Sequence, residues 1–73
     1  MTSELTNEEK IGVVDQHIKS LNYNKYNLNL TLLELNAISN INQSTINEML
    51  LYISEIDDKI SVLQQERTTL EQE

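Results

Sequence analysis

Cysteine is absent from this 73-residue chain, which excludes disulfides and thiolate metal sites. Proline is absent too, and Gly12 is the single glycine. One histidine, His17, is too few for a built-in transition-metal site, and there is no glycine-rich phosphate loop. Basic residues are scarce: five Lys and Arg stand against twelve Asp and Glu, a formal net charge of −7. Phosphate backbones and anionic bilayers repel such a surface, so no direct nucleic-acid partner and no membrane partner is expected. No apolar run approaches the roughly 20 residues that span a bilayer. The start, Met1 to Thr6, lacks the basic and apolar regions of a secretory signal. These absences point to a soluble intracellular protein, cytoplasmic, or in the host cell if viral. The nine asparagines and eight isoleucines fit an AT-rich viral or bacterial genome. The length allows one small domain, 1–73, and chains below about 70–80 residues seldom bury enough apolar surface to be stable alone. With disulfides and metals removed, a partner subunit is the expected source of stability.

What is present is helical periodicity. Residues 1–5 carry no pattern and are expected to fray. Thr6-Asn7-Glu8-Glu9 then has the spacing of a capping box, and Glu8 and Glu9 sit where the positive end of a helix dipole favours anions. Taking Ile11 as position a of a seven-residue repeat abcdefg, the a positions run from Ile11 to Arg67 and the d positions from Val14 to Leu70. Fourteen of these eighteen are apolar, the exceptions being Lys25, Ser39, Asn42 and Arg67. That is the pattern of helices packed lengthwise along a seam. The stretch Asn22–Leu30 alternates polar and apolar as a strand does. Leu21, Leu28, Leu32 and Leu35 nevertheless carry the seam through it, so it reads as helix, with a kink or break at 22–27 as the alternative.

In the middle, Ser39 to Thr45 is a run of Ser, Asn, Gln and Thr broken only by Ile41, and both of its core positions are polar. Thr45-Ile46-Asn47-Glu48 repeats the capping-box spacing, and such a box has orphan amides to satisfy only where a helix begins. The expected fold is therefore all-α: a two-helix antiparallel hairpin, helices about 7–39 and 45–72 with a turn at 39–45, assembling into a four-helix bundle or related oligomer. The alternative is one continuous coiled-coil helix of some 60 residues, about 90 Å long. Folding the chain about residue 42 brings Lys25 to Asp57 and Asp58, and Arg67 to Asp15. Each cationic break in the seam then has a carboxylate across the gap.

A second stripe lies off the seam. Tyr23, Tyr26, Leu30, Leu33 and Ala37 occupy b and f positions of the first helix, with Leu51 at f on the second and Ile41 near the tip. Soluble helices normally keep that face polar. Residues 20–47 carry only Lys25 and Glu34 as charged groups, whereas 48–73 carry seven acids against Lys59 and Arg67. Charge depletion with aromatic and apolar side chains is the composition of interface cores. These seven residues are the expected oligomer interface, in a homo-oligomer, a dimer first, or with another protein.

No constellation for catalysis emerges. His17 has no serine or cysteine nucleophile at a useful spacing. Glu55, Asp57 and Asp58 splay over a helix face, whereas a hard-cation site needs oxygens converging from a shaped loop. Ser54-Glu55-Ile56-Asp57 resembles, with one residue missing, the Ser-Gln-Glu-Leu-Asp motif of the small two-helix phosphatases that act on phosphorylated response regulators. The deletion moves the acid off the corresponding helix face and the first helix offers no counterpart, so no site residue carries over. The sequence is that of a non-enzymatic, self-associating assembly, adaptor or regulatory protein, with no metal and no cofactor. From a different class, the acidic second helix suits an inhibitor that occupies a basic nucleic-acid-binding surface of another protein.

Overall fold

The computed structural model describes residues 4–38 and 42–73. Thr6, in extended conformation, caps the first helix, α1, Asn7–Asn36. Its hydroxyl accepts the Glu9 N–H at 3.1 Å, and the Glu9 carboxylate accepts the Thr6 N–H at 2.9 Å. Two of the four orphan amides of the first turn are thereby satisfied without water. The helix passes through 22–27 without a break. The four asparagines between Asn22 and Asn29 are weak helix formers, yet leucine packing along the seam overrides them. Glu4 and Leu5 precede the cap outside any helix, both exposed.

α1 ends by tightening. Ala37 donates to the Glu34 carbonyl at 3.2 Å and Ile38 to the Leu35 carbonyl at 3.1 Å, the three-residue spacing that often closes a last turn. No described residue has a positive φ, so this terminus requires no glycine. The second helix, α2, Gln43–Gln72, is capped by Asn42 rather than Thr45. The Asn42 side-chain oxygen accepts the Ser44 N–H at 3.0 Å, and its carbonyl accepts the first helical bond, from Ile46 at 3.2 Å. Gln43 reinforces this turn by donating from its side chain to Asn47 at 3.0 Å. Thr45 is thus already inside the helix, and the Thr45–Glu48 spacing does not mark its start. Asn is the stronger N-cap, and it stands three residues earlier. The helices accordingly run to 36 and from 43, against the expected 39 and 45. Ser39 and Ile41 lie outside the described residues.

The two helices of 30 residues each are antiparallel: Arg67 reaches Asp15, Lys25 reaches Asp57, and Asn7 reaches the last turn of α2. The molecule measures 58 × 20 × 16 Å, far short of the roughly 90 Å of a continuous helix. The chain is an all-α helical hairpin. Both cross-helix ion pairs are centred on position 41 of the chain, one residue before the expected folding point at 42, in line with the earlier start of α2.

Every described residue that is not exposed occupies an a or d position, and every a or d residue within the two helices is at least partly covered. Coverage is thin. Among the described residues only Met49 and Leu70 are buried, and none has a fully enclosed side chain. Two cylinders touching along one line shield each seam residue from one direction only, so a third or fourth helix is needed to enclose it. At the open end of the hairpin Asn7, itself a d residue, donates its side-chain amide to the Leu70 carbonyl at 3.5 Å and to the Glu73 carboxylate at 3.3 Å. A residue of the first turn of α1 thus serves an orphan carbonyl in the last turn of α2.

Candidate interaction surface

Around each helix the seven positions fall in the order a, e, b, f, c, g, d, so the seam has an e side and a g side. The charged interruptions of the seam all resolve on the e side. Lys25, at a, places its ammonium 2.7 Å from the carboxylate of Asp57, an e residue of α2. Arg67, also at a, places Nε 2.8 Å from Asp15, an e residue of α1, and a second guanidinium nitrogen 2.9 Å from Glu71, an e residue one turn on. The hydrogen bond and charge of Asp15, then the charge of Glu71, hold the Arg67 guanidinium above its ordinary pKa. All of these groups are partly exposed, and pairs of that kind set geometry more than stability. Of the two acids expected near Lys25, Asp57 makes the ion pair and Asp58, at f, turns to the other side.

The g side is open. There the two helices leave a groove of about 770 Å³ lined by Leu21 and Leu63 on its floor, with Val62, His17, Lys59 and Asp58 among its walls. Both floor residues are d positions, so the groove exposes the seam itself. Exposed apolar side chains extend this side in both directions: Val13 and Val62 at c, and Ile38 and Tyr52 at g. On the e side, Leu50 at e is joined by Tyr26 and Leu33 at b, all exposed. The groove escaped the sequence reading, which weighed the second stripe alone.

The outer face of α1 carries the expected stripe. Tyr23 is 70% exposed, Tyr26 64% and Leu33 67%, with Leu30 partly shielded and Ala37 open. Leu51 is 58% exposed at f of α2. In an antiparallel pair the two f positions lie at opposite extremes, so Leu51 belongs to a different face from the α1 stripe. Ile41 is outside the described residues. Among the described residues, eight of the eleven large exposed apolar side chains, Tyr23 through Tyr52, lie in the tip half of the hairpin, where residues 20–47 carry only Lys25 and Glu34 as charges.

Among the described residues no group of three or more His, Cys, Asp or Glu side chains is placed to hold a metal ion. Glu55, Asp57 and Asp58 point from positions c, e and f, and Asp57 is committed to Lys25. Among the described residues no helix is long and apolar enough to cross a membrane. No family model, no curated protein and no solved structure matches the chain.

Proposed function

We propose that this chain is a non-enzymatic assembly module of the cytoplasm, an adaptor or regulatory subunit whose working form is a homo-oligomer, a dimer first. One observation carries the reading. A compact monomer of 8.5 kDa exposes roughly 4,650 Å², whereas this hairpin exposes 5859 Å². The excess, about 1,200 Å², exceeds the ~800 Å² per partner of a standard interface. Among the described residues, eight of the eleven large exposed apolar side chains lie in the tip half, and residues 20–47 carry only Lys25 and Glu34 as charges, so desolvation on docking costs little there. The outer stripe of α1 adds a surface for a second copy or for a different protein.

Mass by light scattering and shape by small-angle X-ray scattering test the reading. The expected result is a mass above 8.5 kDa with a melting temperature that rises with protein concentration, as mass action requires. A particle of monomer mass with a concentration-independent melt would overturn it. Replacing Leu30 and Leu33 together by Asp reports whether the stripe contributes.

A second reading draws on the exposed acids of α2: Glu48, Glu55, Asp58 and Glu66 all face solvent. They suit a protein that occupies a basic surface of another protein. Binding of that kind weakens steeply with salt, whereas apolar self-association does not.

A further inference from the structure

We propose that two copies of this chain exchange arms: α1 of each packs on α2 of the other, and each chain runs on as helix from α1 into α2. The product is an antiparallel dimer of continuous helices, held by the same seam that closes the hairpin. This goes beyond the docking of whole hairpins, because it uses the seam and no exposed face.

One repeat of seven runs unbroken from Ile11 to Leu70, through the connection as well as through both helices. A hairpin does not require this. Connections of many lengths join antiparallel helices, since each helix turns its own seam toward the other. A chain continued as helix does require it, because only an unbroken repeat keeps both seams on one side. The contacts of the hairpin also transfer whole. Lys25 to Asp57 and Arg67 to Asp15 are both centred on position 41. Two continuous chains crossed antiparallel at that position therefore make each ion pair twice, now between chains. Pairing about a two-fold axis needs a patch complementary to itself, and here the patch is the whole seam.

With the seam conserved, the balance between hairpin and exchanged dimer is decided at the connection. Neither glycine nor proline stands between Asn36 and Gln43. Among the described residues none has a positive φ, and Ala37 keeps right-handed helical angles, φ −81° and ψ −11°. Asn42 departs from the helix chiefly in ψ, 105° at a φ of −89°. No described residue thus commits the chain to a turn that helix could not replace. Continuing the helix pairs the open carbonyls at the end of α1 and the open amides at the start of α2. It gives up the Asn42 cap on Ser44. The two polar core positions, Ser39 and Asn42, then meet those of the second chain near the dimer axis, and polar residues so placed fix register and strand number in coiled coils. Exchange of identical elements is a low-cost route to a dimer because nearly every contact already exists.

Gln43→Pro separates the two states. Gln43 is the first residue of α2, where proline has no helical hydrogen bond to lose, and Asn42 ahead of it is already extended, as a residue before proline prefers. Inside a continuous helix the same proline breaks the backbone ladder. Isotope-labelled and unlabelled chains are unfolded together in urea, refolded at high concentration and treated with a carbodiimide, which joins ammonium and carboxylate groups in contact, as Lys25 and Asp57 are. Expected for wild type is a mass of twice 8.5 kDa and a length by small-angle scattering near 90 Å, against 58 Å for the hairpin. Mass spectrometry should find Lys25–Asp57 links that join a labelled to an unlabelled peptide. In Q43P the helix content should be kept and association weakened by roughly a hundredfold or more. A dimer whose Lys25–Asp57 links always join peptides of one label overturns the exchange and leaves self-association standing, and so does a dimer undiminished by Q43P. A wild-type chain that is monomeric at every concentration overturns both.

Discussion

At the residue scale, the best-defined chemistry is the box at Thr6. The Glu9 carboxylate lies below its ordinary pKa of 4.5, chiefly because it accepts the Thr6 backbone N–H and secondarily through the Thr6 hydroxyl. A carboxyl whose pKa is depressed in the fold stabilises the fold above its unfolded pKa and ceases to do so as pH falls through the lowered value. Thermal melts between pH 3 and 6 should therefore show a loss on the acid side to which this cap contributes. Glu9→Gln keeps an acceptor and removes the titration, so its melting temperature should fall less than that of wild type over the same range. Equal slopes would place the acid sensitivity elsewhere. The Thr6–Glu9 box was readable because both halves are local and nothing competes. The same four-residue spacing at Thr45–Glu48 was equally readable and did not mark the start of α2, because Asn42 offers a stronger cap three residues upstream. Spacing alone cannot rank two adjacent caps; the length of helix each would leave on the seam decides.

At the element scale, periodicity did most of the work. The a and d positions carried the helical state of both segments and the identity of the covered residues, since a single repeat of seven fixes which side of each helix meets the other. The cross-helix ion pairs followed from the same register, because a cation at an a position reaches an e carboxylate whether the fold point is 41 or 42. The difference between the two sides of the seam was not legible in the same way. It depends on which acids fold toward Lys25 and Arg67, and Asp57 and Asp58 are neighbours in sequence that turn to opposite sides. Gly12 is an element-scale weakness. It lies mid-turn in α1 with no atom within 4 Å of where a Cβ would stand, so Gly12→Ala meets no obstacle and restricts the unfolded chain. It should stabilise the hairpin by about 1 kcal/mol, read from urea unfolding followed by circular dichroism. A neutral or destabilising result would show position 12 to be covered by something beyond the single hairpin.

At the scale of the whole molecule, the hairpin is a long object with a thin seam, and its two ends differ. The tip half holds most of the described large exposed apolar side chains, and residues 20–47 carry only Lys25 and Glu34 as charges; the open half carries the ion pair to Asp15, most of the acids and Asn7. That asparagine joins the first turn of one helix to the final turn of the other, at the carbonyl of Leu70, one of the two buried residues among those described. Helix ends ordinarily fray separately, each at its own rate. Here the amide makes them a single gate: the first turn of α1 cannot lift away without unlatching the last turn of α2 and admitting water to Leu70. Backbone hydrogen exchange at the two termini should accordingly proceed in step, although the residues are more than sixty positions apart. Asn7→Ala should free the two turns to open independently, speeding exchange in the last turn of α2 while leaving the tip half as protected as before.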